Sequence, residues 1–192
     1  KDACNNATTA TVSYSGGDQT APALKSGSTF PTGGTDINSC TAPAGPTAEE
    51  IAALYEDNCG GAVTVTKSGT PTGDACSWSV TYTYVIKDAC NNATTATVSY
   101  SGGDKTAPAL KSGSDLPTGG TDINSCTAPA GPTAEEIVAL YEDNCGGAVT
   151  VTKSGEPTGD NCEWSVIYTY VIEDASICSF VYGPCCFPFI AK

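Results

Sequence analysis

Apolar and polar side chains alternate from residue 78 to residue 86, and this alternation is the clearest structural signal in the chain. Five apolar side chains fall on one side of it: Trp78, Val80, Tyr82, Tyr84 and Ile86. A period of two is the pattern of a β-strand with one buried face. A second alternation follows, with Ala96, Val98 and Tyr100 on one side, and an Asp/Asn-rich stretch separates the two. The pattern therefore predicts a β-hairpin.

Shorter signals surround the hairpin. Residues 63–66 alternate and predict a strand, and residues 21–24 predict an edge strand that tolerates proline. Residues 47–50 have the pattern of a capping box, and apolar side chains within residues 51–55 share one helical face. We expect a helix of two to three turns that ends at residues 57–61. Short strands separated by Gly/Pro/Thr turns predict a mostly β fold, an immunoglobulin-like sandwich with one short helix per unit.

The sequence from Lys1 to Ile172 is duplicated. Residues 1–6 recur as residues 87–92, which gives a period of 86 (87 − 1). The two copies differ at the pairs Gln19/Lys105, Thr29/Asp115, Phe30/Leu116, Ala52/Val138, Thr70/Glu156, Ala75/Asn161, Ser77/Glu163 and Thr81/Ile167. Near-identical copies in series are typical of stalks, fibres and adhesins, in which each added copy adds reach. The duplication therefore favours a structural role over catalysis.

Composition excludes several classes of function. The chain has no His, and all eight of its basic residues are lysines, so His-based catalysis and arginine clamps on phosphate are excluded. The formal net charge of −13 opposes binding to nucleic acid and favours an extended thread of like-charged modules. No apolar run is long enough for a membrane helix, so we expect no membrane insertion. We predict that the protein is not an enzyme.

Three motifs carry a family resemblance: residues 18–22, Asp-Gln-Thr-Ala-Pro; residues 57–60, Asp-Asn-Cys-Gly; and residues 85–93, Val-Ile-Lys-Asp-Ala-Cys-Asn-Asn-Ala. The chain resembles hyalin-repeat (HYR-like) domains, and its Thr-rich copies resemble those of SprB-type gliding-motility adhesins exported by type IX secretion. The resemblance implies an extracellular, cell-surface β-sandwich that serves in adhesion or in surface filaments. It implies no catalytic residues.

The resemblance also implies domain boundaries that differ from the repeat boundaries. One domain then spans residues 18–103 and a second spans residues 104–192, with a divergent last strand. Residues 1–17 become the last strand of a preceding repeat. Such an orphan strand either completes the sheet of a neighbouring molecule or reflects the point at which a longer repetitive chain was cut.

Eleven cysteines in 192 residues indicate a disulfide framework formed outside the cytoplasm. Cys76 and Cys90 flank one long strand and are therefore too far apart to bond. We predict instead the pairs Cys40–Cys76, Cys59–Cys90, Cys126–Cys162 and Cys145–Cys178. Cys4, Cys185 and Cys186 stay without assigned partners, and a bond between molecules is open to them because the number of cysteines is odd.

Oxygen-bearing side chains cluster in the loops. A calcium site is predicted from six of them: Asp57, Asn58, Asp88, Asp143, Asn144 and Asp174. The alternative is that Asp and Asn only form turns there. Trp78 and Trp164 suggest a carbohydrate platform, although their alternating strands favour core packing. Glu49 and Glu50 suit the first turn of a helix better than a glycosidase pair.

These observations predict a structural and adhesive module of an extracellular filament or giant adhesin, with neighbouring copies as head-to-tail partners. A first alternative is a fibre subunit that polymerises by strand donation through residues 1–17. A second alternative is a carbohydrate-binding module whose partners are surface glycans.

Overall fold

The structure is a computed structural model that describes residues 2–175. The predicted sites at Cys178, Cys185 and Cys186 lie outside this range. In chain order the described elements are β1 (Ala23–Leu24), β2 (Gly34–Asn38), α1 (Ala48–Ala53), β3 (Tyr55–Glu56), β4 (Thr64–Ser68), β5 (Thr72–Gly73), β6 (Trp78–Lys87), β7 (Ala93–Gly103), β8 (Ala109–Leu110), α2 (Ala134–Val138), β9 (Tyr141–Glu142), β10 (Ala148–Ser154), β11 (Thr158–Gly159), β12 (Trp164–Ser165) and β13 (Thr169–Ala175). The prediction of a mostly β chain with two short helices is confirmed. The immunoglobulin-like sandwich stays a prediction.

The chain forms two compact units. The first comprises Lys1–Gly33, Ala44–Gly69 and Thr81–Val98, and the second comprises Gly34–Pro43, Thr70–Val80 and Ser99–Lys192. The division passes through β6 and β7, which are hydrogen-bonded neighbours in a sheet of order β2-β7-β6-β4, with β5 also paired to β6. The domains at residues 18–103 and 104–192 stay a prediction.

In the first unit, the inward face of β6 forms the core. β4 pairs antiparallel with β6 from Thr64 opposite Lys87 to Ser68 opposite Thr83. Tyr84 and Ile86 are fully buried, as the alternation predicts, and the Tyr84 hydroxyl donates to the carbonyl oxygen of Pro46 at 2.7 Å. This hydrogen bond gives the buried phenol a partner and so removes the penalty of burying it alone.

Helix α1 adds Ile51, which is fully buried, to the same core. The predicted capping box is present, because the Thr47 hydroxyl accepts from the amide of Glu50 at 3.1 Å and the Glu50 carboxylate accepts from the amide of Thr47 at 2.7 Å. The helix has 6 residues, fewer than the two to three turns that the sequence predicts. It ends early because the chain enters strand β3 at Tyr55.

The second unit contains the remaining pairings of β6 and β7. β2 lies parallel to β7, with Gly34 opposite Tyr100 and Ile37 opposite Gly102. Trp78, on β6, is 4 % exposed, and its indole nitrogen donates to the carbonyl oxygen of Ser39 at 2.7 Å. The backbones meet closely here, since a Cβ atom on Gly102 would collide with the carbonyl oxygen of Ile37 and would also lie 2.6 Å from Trp78 Cζ2. Glycine at this position therefore permits the approach.

The later part of the second unit repeats some of these elements. β10 pairs antiparallel with β13 from Ala148 opposite Ala175 to Ser154 opposite Thr169. Shorter pairs join β8 to β9 and β11 to β12. Helix α2 buries Ile137, as α1 buries Ile51. The duplicated sequence thus gives duplicated local structure in this region.

Candidate metal centres

Three aspartates from distant parts of the sequence meet in each copy of the repeat. The first aspartate cluster is Asp18, Asp57 and Asp88. The second is Asp104, Asp143 and Asp174, each member lying 86 residues after its counterpart. In both clusters the first member precedes a short edge strand, and the second follows β3 or β9 directly. The third member follows β6 in one copy and lies near the end of β13 in the other. The fold therefore brings together the start, middle and end of each repeat.

The carboxylates within a cluster lie close enough to share one ion. Oxygens of Asp18 and Asp57 and the sulfur of Cys59 lie within 4.8 Å of one another, as do those of Asp104, Asp143 and Cys145. The third carboxylate adjoins one member of each group, Asp88 beside Asp18 and Asp174 beside Asp143, but it is not one of the ligand atoms within 4.8 Å of one another. Two oxygens bound to one calcium ion at 2.3–2.6 Å are at most about 5 Å apart. The spacing fits a calcium ion.

Turn formation explains only part of this arrangement. Asp57 Oδ2 accepts from the amide of Cys59 at 3.0 Å, and Asp143 Oδ2 accepts from the amides of Cys145 and Gly147 at 2.9 and 3.0 Å. These are the contacts of aspartate-formed turns. The other oxygen of each carboxylate, Oδ1, is buried and has no hydrogen-bond partner in the described structure, and the same holds for Asp174 Oδ1. A buried polar atom without a partner is costly, and a proton, a water molecule or a cation would each satisfy these oxygens.

The charges of the second cluster also favour a bound cation. Burial, followed by the negative charges of Asp143 and Asp104, raises the pKa of Asp174 to about 6. The amide of Gly147 lowers the pKa of Asp143, against the effect of burial and together with the amide of Cys145. One carboxylate is thus held ionised while its neighbour resists ionisation. A cation would relieve this repulsion as a proton does.

The first cluster balances its charge differently. Burial opposes ionisation of Asp88, but hydrogen bonds from Asn92 outweigh it and lower the pKa of Asp88. The side chain and the backbone amide of Asn92 donate to this carboxylate at 2.7 and 2.8 Å. The sequence has Cys178 at the position equivalent to Asn92, so this amide side chain has no counterpart in the second copy. A bound cation would therefore stabilise the second cluster more than the first.

Asn58 and Asn144 are placed differently from the other predicted ligands. The side-chain nitrogen of Asn58 donates to Cys59 Sγ at 3.4 Å, and that of Asn144 donates to Asp104 Oδ1 at 3.3 Å. Both side chains act here as hydrogen-bond donors that orient the loop. The sequence interpretation missed Asp18 and Asp104. Their signal was available, since Asp18 opens the resemblance motif at residues 18–22 and Asp104 is its counterpart in the second copy.

The disulfide of the described region joins residues from the two copies. Cys40 is bonded to Cys145, with Cα atoms 5.3 Å apart and a sequence separation of 105 residues. The predicted pairs Cys40–Cys76 and Cys145–Cys178 are therefore wrong. The reason is that Cys40 follows β2, whose neighbour Ser39 donates its amide to the carbonyl oxygen of Gly103 at 3.1 Å. This places Cys40 beside the chain entering Asp104, which adjoins Cys145.

The predicted pairs Cys59–Cys90 and Cys126–Cys162 are also absent. Within the described region all four of these residues carry free thiols. Cys59 and Cys90 nevertheless lie near each other, as predicted. Burial, followed by the charges of Asp18 and Asp57 and a smaller effect of Cys90, raises the pKa of the Cys59 thiol. A raised pKa keeps this sulfur protonated near neutral pH and makes it a poor metal ligand there.

Two other candidate sites have structural roles. Trp78, Tyr82 and Tyr84 are buried, which favours the core-packing interpretation over a carbohydrate platform in that copy. Glu50 caps its own helix.

Comparisons with known proteins give no family. No family model, curated protein or solved structure matches the chain. The resemblance to hyalin repeats and SprB-type adhesins therefore stays a proposal. Among the described residues, no helix has the length and apolar character that crossing a membrane requires.

Proposed function

We propose that this chain is a calcium-binding structural module of an extracellular filament or large adhesin. The observation that carries the proposal is the buried Oδ1 of Asp57 and of its repeat counterpart Asp143, each without a hydrogen-bond partner among the described residues, with a third such oxygen on Asp174. Duplication preserved both clusters while eight other positions diverged.

Calcium suits the ligands better than other common ions. Calcium binds six to eight oxygens in a flexible arrangement, whereas magnesium requires a nearly ideal octahedron. Zinc and copper prefer imidazole and thiolate, and the chain has no His. In the second cluster the adjoining sulfur of Cys145 belongs to a disulfide, which leaves the carboxylate oxygens as the ligands. Carboxylates from three segments, with water completing the shell, form a low-affinity site of the kind found in extracellular modules.

The ion would act as a reversible cross-link. In the second cluster it would tie the chain entering at Asp104 to the loop at Asp143 and to strand β13 at Asp174. The Cys40–Cys145 bond restrains the same loop, and a disulfide is consistent with a compartment outside the cytoplasm. Modules restrained in this way resist local opening. We infer that near-identical copies in series give reach and that the bound ions give stiffness.

The proposal is tested by calcium binding to the oxidised chain. Isothermal titration calorimetry should give about two ions per chain with a Kd of about 10⁻⁴–10⁻³ M, the range of extracellular modules. Asp57→Asn and Asp143→Asn should each remove one ion from the stoichiometry. Glu156→Gln is the matched control, because Glu156 is exposed and its counterpart in the other copy is the neutral Thr70. Absence of binding at about 10 mM calcium contradicts a calcium role.

A further inference from the structure

The Cys40–Cys145 disulfide lies directly against the second aspartate cluster. The sulfur of Cys145 is within 4.8 Å of carboxylate oxygens of Asp104 and Asp143. The side-chain nitrogen of Asn144 connects the bond to the cluster, since it donates to Asp104 Oδ1 at 3.3 Å. The same nitrogen contacts both sulfurs, at 3.2 Å for Cys145 and 3.6 Å for Cys40. One amide group therefore links the disulfide to a proposed calcium ligand.

The segment that ends β2 positions Asp104 from both sides. Before Asp104, the amide of Ser39 donates to the carbonyl oxygen of Gly103 at 3.1 Å. After Asp104, the amide of Lys105 donates to Asn38 Oδ1 at 2.9 Å. The segment then continues directly into the disulfide. The residues that hold Asp104 in place are therefore the same residues that carry one end of the bond.

The disulfide ties this segment to the loop of Asp143. Cys145 lies two residues after Asp143, and its amide donates to Asp143 Oδ2 at 2.9 Å. The position of Cys145 thus determines the position of this carboxylate. One segment of the first copy therefore holds two carboxylates of the second cluster at a spacing that fits one ion. Ligands that are held in place before binding lose less conformational entropy when the ion binds.

The first cluster is held together without such a bond. Its cysteine, Cys59, has an exposed free thiol. Asp18 is held from the turn between β6 and β7, because the side chain of Asn92 donates to the carbonyl oxygen of Asp18 at 3.3 Å. A change in the Cys40–Cys145 bond therefore leaves these contacts of the first cluster in place. The chain thus contains an internal control for the effect of the disulfide.

We propose that the Cys40–Cys145 disulfide regulates calcium binding at the second cluster, so that reduction of the bond weakens this site alone. The inference rests on the proposed calcium function. A small-molecule dithiol is the reductant: the S–S bond breaks, the two protons of the dithiol pass to Cys40 and Cys145, and the dithiol is oxidised to a cyclic disulfide. The loop of Asp143 is then no longer tied to the segment that holds Asp104. Ion binding to the reduced chain must therefore order the two carboxylates.

The coupling between the bond and the ion is reciprocal. If the disulfide strengthens calcium binding, calcium must make the disulfide harder to reduce by the same factor. Coupled sites typically change each other's affinity by about 5–150-fold, so we expect reduction to raise the Kd of the second cluster at least about fivefold. For a two-electron couple, a fivefold change corresponds to about 20 mV in the reduction potential.

The first measurement is isothermal titration calorimetry of the full chain with calcium in both redox states. Asp57→Asn leaves the second cluster to bind calcium, and treatment with a dithiol should raise its Kd at least about fivefold. Asp143→Asn leaves the first cluster and is the matched control, because its Kd should be the same in both states. Cys40→Ser gives the unbonded chain without reductant, and circular dichroism of each sample checks that the fold is kept.

The second measurement is the reduction potential of the bond. The chain is equilibrated in glutathione redox buffers with EDTA, calcium or magnesium, its thiols are trapped by alkylation, and the Cys40–Cys145 peptide is quantified by mass spectrometry. Calcium should lower the midpoint potential by at least about 20 mV. Magnesium should leave it unchanged, because this ion requires a nearly ideal octahedron. Asp143→Asn should remove the calcium shift.

The outcomes separate the coupling from the calcium proposal. Absence of calcium binding to oxidised Asp57→Asn contradicts calcium at the second cluster and the coupling with it. Equal Kd values in the two redox states, or a midpoint potential that calcium does not move, overturn the coupling and leave the calcium function standing. Equal weakening of both clusters on reduction also overturns it, because that result shows a general loss of structure and no selective effect on one site.

Discussion

The substitution Asp174→Asn distinguishes a cation-binding role of Asp174 from a purely structural role. The Asp174 carboxylate is partly buried beside Asp143 and Asp104, and its Oδ1 has no hydrogen-bond partner. Without calcium, the amide removes a repelling charge, so we expect the variant to be at least as stable as the wild type at pH 7. With calcium, the variant lacks one of three carboxylate ligands. It should therefore lose the calcium-dependent stabilisation of the second cluster.

The size of the effect follows from mass action. At a calcium concentration of about 100 times the Kd, a site stabilises the folded state by about 2.7 kcal/mol. For a chain of about 150–250 residues, each kcal/mol moves the melting temperature by roughly 2–4 °C. Wild-type protein should therefore gain roughly 5–10 °C per occupied site. Asp174→Asn should keep only the gain from the first cluster.

The assay is differential scanning calorimetry at pH 7 with EDTA and with about 10 mM calcium. Asp88→Asn is the matched variant for the first cluster, although it also breaks the hydrogen bonds from Asn92 and is expected to destabilise the protein without calcium. Glu156→Gln should respond to calcium as the wild type does. Equal calcium shifts in Asp174→Asn and wild type would refute the reasoning, as would a large loss of stability in EDTA.

Two further predictions concern pH and the disulfide. The pKa of Asp174 is raised to about 6 in the folded state, so below about pH 4 the group is protonated in both states and contributes nothing. As the pH rises from about 4 to 6, only the folded state keeps this proton, so calcium-free wild type should lose stability relative to Asp174→Asn, with no further change above pH 6. Urea unfolding of both proteins across this pH range measures the difference in their stability. A difference that stays constant would contradict the prediction. Cys40→Ser opens a loop closed over 105 residues and should lower the free energy of unfolding in urea by about 4–5 kcal/mol. Cys126→Ser should lower it little. A peptide map of the non-reduced protein without a Cys40–Cys145 fragment would refute the assigned bond.

Local patterns predicted the local structure well. The alternation from Trp78 to Ile86 is a strand with its apolar face buried, and the capping box at Thr47 is present. Each depends on neighbours within a few residues, which the sequence displays directly. The helix is shorter than predicted because Tyr55 pairs in β3. That pairing with a distant strand is not visible in the local pattern.

The candidate metal site was predicted in part for a similar reason. Asp57, Asp88 and Asp143 lie in loops and Asp174 lies near the end of β13, at positions where turn-forming and ligand-forming roles leave the same sequence signal. Only the fold distinguishes the roles, since one oxygen of Asp143 accepts from the turn amides while the other is buried without a partner. Asp18 was missed because it lies far from the other two in sequence.

The cysteine pairing failed because it treated each module as closed. Assigning partners inside one module requires both cysteines to belong to the same unit, but the bond that forms, Cys40–Cys145, joins two different loops of successive copies, one after β2 and one after β9. β7, the neighbour of β6 in the sheet, likewise belongs to the sequence that begins the next copy. Both features join residues of one copy to residues of the next. A repeat of this kind has no self-contained unit at its period of 86, so the pairing becomes predictable only when two copies are considered together.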